Sequence, residues 1–387
     1  MNDWLMRLYA VYVHQALLAS KIDCDFLDCF SKGRTFQDAL PLVLQKKCAG
    51  RRLYGIAVFM GNKETAVAVM RNIRTSDPGA HIIAFGPFAA VFYRIILEQG
   101  MADTVILSDA EFVFPGLCLS PHEEHIPNLA FLRDKNISLS SRKVFSNLDS
   151  LPFTGLYFAS QGSDVIPILT ARGCAHRCYF CDRPLLWGGA MRLRSMANVV
   201  AEIDALVRKQ DARRFAFADA DFVYDKGRVK YLCLKILKLP KKIAWFCSAR
   251  VDSVDLQILR LMHRAGCKKI YFGIESGDAA TLRRMGKGHG RKAILQAVQS
   301  AKAVGLEVGL FLIVGTPGET ARSLGNTRKL LLALSPFSEL TVNPLVILPG
   351  TALYDEAVRS GRFKPEDFFH GHELVLFDEK RLYRSLH

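Results

Sequence analysis

The chain has 387 residues, enough for two or three domains with sizeable cores, and 50% of them are hydrophobic, which excludes extended disorder. Its formal net charge of +15 is spread in short groups such as Arg51–Arg52, Arg213–Arg214 and Lys241–Lys242, with the densest cluster at Arg283, Arg284, Lys287, Arg291 and Lys292. No aromatic-interleaved basic stripe accompanies these charges, so they read as a solvated surface with room for an acidic or phosphorylated partner rather than a nucleic-acid module.

Residues Trp4 to Leu18 are apolar but carry Arg7 and His14, with no small-residue cleavage site. A buried helix is expected there, not a signal peptide or a membrane span. Helical spacing from Leu8 to Ser20 is followed by a short strand at Asp25–Asp28 and a helix at Phe36–Leu44. The apolar runs Tyr54–Phe59, His81–Phe85 and Thr104–Leu107 read as buried parallel strands, separated by helices at Lys63–Ile73 and Ala90–Gln99. This alternation predicts an α/β, doubly wound, Rossmann-like domain over residues 1–111.

Residues 112–163 hold scattered prolines and a hairpin pattern at 128–138 turning at Asp134–Asn136, and are expected to be a linker. From Asp164 the alternation resumes. Strands are predicted at Val165–Leu169, Arg214–Ala218, Ala244–Ser248, Lys269–Ile274, Glu307–Val314 and Leu340–Leu348. Helices are predicted at Met196–Lys209, Gly227–Leu237, Ser253–Ala265, Arg291–Val304 and Thr320–Leu334. Six β/α units over 164–355 suit a partial TIM barrel with its working loops at the C-terminal strand ends. Residues 356–387 form a polar tail of helix and coil.

The first of those loops carries Cys174, Cys178 and Cys181 at C-x3-C-x2-C spacing. Three thiolates in one loop can hold three irons of a cubane cluster and leave the fourth iron open to a ligand, as catalytic metal sites do. Zinc, with His176 or Asp182 as a further ligand, is the competing use, but the paired second knuckle usual for zinc is missing. The other seven of the ten cysteines (Cys24, Cys29, Cys48, Cys118, Cys233, Cys247, Cys267) are scattered, mostly in apolar runs, and read as core. Without a disulfide framework, and with thiolates to protect, a reducing cytoplasm is expected.

With Gly173 before the first cysteine and Phe180 before the last, the loop resembles the signature of the radical SAM superfamily. The segment from Ile168 to Gly350 is similar to the radical SAM core throughout. In that family a 4Fe-4S cluster binds S-adenosyl-L-methionine (SAM) and cleaves it reductively to a 5′-deoxyadenosyl radical that takes hydrogen from carbon.

The resemblance implies that Asp219 or Asp221 receives the SAM amino group. It also implies Ser248 and Arg250 for ribose and carboxylate, Glu275 with Ser276 at the ribose, and Gly315 for backbone approach to adenine. Bland uses stand beside these: helix caps for the aspartates, an ion pair for Glu275, a clamp for Arg250 and a simple turn at Gly315.

The order of elements also resembles the subfamily with an N-terminal cobalamin (B12)-binding-type domain. A D-x-H-x-x-G run is absent, a helix stands where the opening strand is usual, and Phe88–Tyr93 is bulky for a corrin face, so cobalamin is left open. The implied partners are a polar small-molecule substrate and an electron donor such as flavodoxin or ferredoxin, with no membrane. With cobalamin the expected outcome is methyl transfer; without it, radical dehydration, rearrangement or oxidation. The rival readings are an RNA-modifying radical SAM enzyme and a non-catalytic metal or redox sensor.

Overall fold

The computed structural model describes residues 2–28, 41, 52–120, 123–185, 191–361 and 363–371. These divide into two compact units, one of Met1–Tyr157 and Leu185–Ala190 with Phe363–Gly371, the other of Phe158–Pro184 with Met191–Arg362.

The first unit opens with the helix Asn2–Ala19 and contains a five-stranded sheet. Strands β1 (Leu53–Ala57), β2 (His81–Phe85) and β3 (Thr104–Ile106) pair in parallel; β2 and β3 are buried as expected, whereas β1, at the edge of the sheet, is only half-covered. The expected helix at Ala90–Gln99 starts earlier and breaks at Phe92 into Pro87–Val91 and Tyr93–Glu98. Proline at the first helical position starts it, since its fixed φ and missing N–H suit that place.

Asp25–Asp28 is not a strand. Asp28 is buried and accepts from Arg7 Nε at 2.6 Å and Tyr157 Oη at 3.1 Å, contacts that replace a ladder. The helix expected at Phe36–Leu44 lies, apart from Pro41, outside the described residues.

The stretch expected as a linker contributes to this sheet. β4 (Leu129–Arg133) runs antiparallel to β3, and β5 (Asn136–Leu139) closes a hairpin on β4. Asp134 and Lys135, with φ of 49° and 64°, form the two-residue turn that right-handed strand twist favours. Leu129, Ala130 and Phe131 are buried, so apolar burial against β3 rather than any local turn signal recruits the hairpin.

The second unit holds six parallel strands in consecutive order: β6 (Ile166–Ile168), β9 (Arg214–Phe217), β10 (Ala244–Ala249), β11 (Cys267–Glu275), β12 (Glu307–Val314) and β13 (Glu339–Pro344). A two-stranded ribbon of β7 (Ala171–Arg172) and β8 (Arg192–Leu193) follows β6. Helices Met196–Gln210, Lys226–Ile236, Leu256–Arg264, Arg291–Ala303 and Ala321–Leu334 alternate with the strands, the partial (β/α)6 barrel expected. Two shorter helices, Ala279–Arg284 and Ala352–Arg359, were not expected. Residues 372–387 of the expected tail lie outside the described set.

Candidate active site

The cysteine loop leaves the ribbon strand β7 at the C-terminal end of β6. All three thiols are free and half-buried. The Cys181 N–H donates to the Cys178 carbonyl at 3.1 Å, which turns the chain so that both side chains leave one compact loop. Two outside anchors hold it: the Tyr179 N–H donates to Met285 O at 3.3 Å, and Tyr179 O accepts from Leu353 N–H at 3.0 Å.

A cubane takes one thiolate per iron, and three free thiols on one compact loop fit that donor set. Burial pushes the Cys174 thiol up and the Cys181 thiol to about 12, so these two hold their protons more tightly than a free cysteine does. Cys233, Cys247 and Cys267 are buried in the core, Cys24 and Cys118 are half-buried, and Cys29 and Cys48 lie outside the described residues.

The loop after β9 is pinned by Phe217 and Phe222, stacked at 4.4 Å, with Trp245 edge-on to Phe217 at 5.1 Å. That closure carries Asp219 and Asp221 to the cysteine loop, but with different partners. Asp219 accepts from Thr170 N–H (2.8 Å), Thr170 Oγ1 (2.8 Å) and Ala171 N–H (2.7 Å). Burial raises its carboxyl to about 6 against the pull of those bonds. Its oxygens brace the strand that launches the cysteine loop. Asp221 accepts from Ser253 Oγ (2.7 Å) and Arg250 N–H (3.2 Å), and lies 3.3 Å from His176 Nε2. Both aspartates line the hollow beside Cys174, His176 and Tyr224, but only Asp221 meets the ring of His176.

Arg250 ends β10 and is buried. Its Nε and Nη2 engage the Asp252 carboxylate in a fork at 2.9 and 2.8 Å, and Nη2 also donates to Lys287 O. Fixed so, the guanidinium presents Nη1 to Cys178 Sγ at 3.9 Å. The ring of His289 touches Arg250 Nη2 through Nδ1 at 3.4 Å; burial, with Lys287 and Arg250 nearby, drops its pKa to about 4.

Glu275 sits where β11 ends in a register shift, in the left-handed region at φ 57°. Its carboxylate is paired with Lys287 Nζ at 3.0 Å, both buried. A Cβ on Gly273 would come within 2.6 Å of Glu275 Oε1, so glycine makes the space this carboxylate folds into.

The remaining expected residues lie apart from this network. The Ser276 hydroxyl meets Thr327 Oγ1 at 3.2 Å and accepts from Asp278 N–H, which docks the loop on the helix Ala321–Leu334. The Gly315 N–H is taken by Glu319 Oε2 at 2.7 Å, closing the turn after β12. Ser248 gives its carbonyl to Phe222 N–H at 3.0 Å, and Phe180 packs edge-on to Tyr179 at 6.2 Å.

Sequence reasoning missed Asp252, Lys287 and His289. Lys287 was grouped with surface cations, and nothing local reveals that its partner lies twelve residues earlier. Among the described residues of this unit, Tyr179 Oη, His289 Nε2 and Thr316 Oγ1 are buried side-chain atoms without a hydrogen-bond partner. Buried polar atoms are satisfied almost without exception, so these suit a polar ligand such as SAM.

The front unit treats its expected ligand differently. Phe88 and Phe92, beyond the end of β2, are buried and lie 5.7 and 5.5 Å from Phe369 of the Phe363–Gly371 segment. That edge is packed with aromatic side chains and, as folded, does not fit a corrin.

Residues 168–331 match the sequence profile described as the radical SAM superfamily. An uncharacterized methyltransferase of Pyrococcus horikoshii is 26% identical over 360 residues, 89% of this chain and 77% of that protein. A hopanoid C-2 methylase of Rhodopseudomonas palustris is 29% identical over 201 residues, 50% of this chain and 38% of that one.

Among solved structures, the radical SAM methyltransferase TsrM of Kitasatospora setae superposes with a TM-score of 0.76 at 17% identity, covering 91% of this chain and 73% of that one. The cobalamin-dependent radical SAM enzyme OxsB gives 0.75 at 18%, covering 95% of this chain and 54% of that one. Both likenesses extend the shared fold through the front domain. Residues 168–331 thus carry a radical SAM domain, and the chain shares the fold of these two solved enzymes through both its front sheet and its partial barrel.

Proposed function

We propose that this enzyme reductively cleaves SAM and abstracts hydrogen from carbon of a polar small-molecule substrate in a biosynthetic pathway. The observation that carries the reading is the Arg250 guanidinium, forked onto Asp252 and presented to Cys178 Sγ at 3.9 Å. Cys174, Cys178 and Cys181 would hold the cluster. When bound, the cluster supplies the electron that breaks the SAM sulfonium bond and releases the 5′-deoxyadenosyl radical.

The chain's own residues bind and orient. Arg250 Nη1 offers a fixed cation for a carboxylate. Asp221, the better placed aspartate, offers an acceptor for an ammonium group. Glu275, with Lys287 beside it, suits ribose hydroxyls, and His289 Nε2, Thr316 Oγ1 and Tyr179 Oη supply unspent polar atoms. Phe180, Ser248, Ser276 and Gly315 hold the surrounding loops through the contacts described above. Asp219 keeps the cysteine loop in place.

The thiolate ligands favour a reducing cytoplasm and an electron-donor protein such as flavodoxin or ferredoxin. Among the described residues no helix is long and apolar enough to cross a membrane. The relatives named as methyltransferases raise methyl transfer as one outcome, dependent on cobalamin; dehydration, rearrangement or oxidation is the other.

The test is anaerobic cluster reconstitution, addition of SAM and a strong reductant, and quantification of 5′-deoxyadenosine against Cys178→Ala. Formation by the parent alone supports the reading. Equal formation by both, or none from a parent with its cluster confirmed, refutes it. S-adenosylhomocysteine beside 5′-deoxyadenosine marks methyl transfer.

A further inference from the structure

The Phe363–Gly371 segment belongs to the front unit, where it packs at the carboxyl ends of β1 and β2. In open α/β sheets that edge is where ligands bind. The geometry there is tight. The Val58 N–H donates to Phe85 O at 2.8 Å, and Gly86, at φ 104°, passes so close that a Cβ would sit 2.6 Å from Val58 O. The helices Lys63–Ser76 and Pro87–Val91 start from these two loops.

Lys63 is the first residue of its helix, a position where a cation opposes the macrodipole. It is buried nonetheless, and its purpose lies elsewhere: Nζ donates to Phe368 O at 2.9 Å and to Gly371 O, and stands 5.7 Å from the Phe88 ring. These are carbonyls at the end of the short helix Pro365–His370, which no backbone partner inside that helix can satisfy. Phe368 and Phe369 are buried while Lys364 to Asp367 and His370 are exposed, so the segment is attached by one face only. Phe369 closes against Phe88 and Phe92, themselves 4.6 Å apart.

We infer that this segment and a tetrapyrrole exclude one another: while Lys63 and Phe369 hold the segment down, the front domain is closed to cobalamin. The front domain then serves the barrel without that cofactor unless the segment is released. The inference goes beyond the proposed radical chemistry and stands independently of it.

Hydroxocobalamin binding to the full-length chain, read by absorbance after anaerobic gel filtration, tests this against Phe369→Ala, Lys63→Met and the double variant. Far-UV circular dichroism and 5′-deoxyadenosine formation report whether each variant keeps its fold and barrel chemistry. The expected result is no retained cobalamin in the parent and at least tenfold tighter binding in the double variant. Equal binding by parent and variants overturns the inference, because affinity would then not depend on the segment. Absence of binding in folded variants also overturns it, since the segment would not be what excludes the ligand.

Discussion

Glu275 and Lys287 form a buried ion pair at 3.0 Å, with side chains only 10% and 6% exposed, and one partner held at a left-handed φ of 57°. Removing one member of such a pair strands a buried charge and costs about 3–5 kcal/mol. Lys287→Met is therefore expected to lower unfolding free energy by about that much, and Glu275→Gln combined with Lys287→Met to recover part of it. Urea unfolding of the parent and the two variants checks this. A Lys287→Met variant as stable as the parent would show that the charges are not coupled.

Arg250→Lys should leave the fold intact and cut 5′-deoxyadenosine formation at least tenfold. A lysine ammonium cannot fork onto Asp252 while presenting a second nitrogen to Cys178. Single-turnover assays of reconstituted protein decide it; an unchanged rate would place Arg250 outside ligand binding.

His289→Leu removes a buried Nε2 that has no protein partner. If SAM is that partner, its dissociation constant should rise about tenfold, in line with about 1–3 kcal/mol for a lost buried hydrogen bond. Equilibrium dialysis on cluster-loaded protein measures this. Unchanged affinity, with the Arg250 contacts preserved, would assign His289 to packing alone.

Asp219 carries the clearest pH prediction. Burial raises its folded carboxyl from 3.8 to about 6, so the folded state holds the proton more tightly than the unfolded state. Its contribution to stability is complete below the unfolded value and is lost as pH rises through about 6. The stability advantage of the parent over Asp219→Asn should shrink between pH 4 and pH 7, measured on cluster-free protein by urea unfolding. An advantage that grows over that range would contradict the burial argument.

Strands that are apolar runs were readable. Glu307–Val314 in the barrel and His81–Phe85 in the front sheet were expected with the bounds they have, and the cysteine loop was found from spacing alone. What stayed hidden depends on distant partners. Asp219 and Asp221 are equivalent in the chain and both buried, and only their partners, Thr170 and Ala171 for one, Ser253 and His176 for the other, tell the two carboxylates apart. The hairpin at 129–139 looks like linker until β3 offers an edge. Phe369 reads as an ordinary tail residue, since the rings it meets lie more than 270 positions earlier.

The bond between Tyr179 O and Leu353 N–H joins the cysteine loop to nearly the last helix of its unit. A growing chain has made all three cysteines long before Leu353 is synthesised, so during translation the loop lacks one of its two outside anchors. Contacts this remote in sequence form late in folding. The thiols are thus complete as chemistry before they are complete as a site, and cluster insertion should await synthesis of the chain beyond Leu353. Cells making this enzyme face an interval in which its iron ligands are open to oxidation.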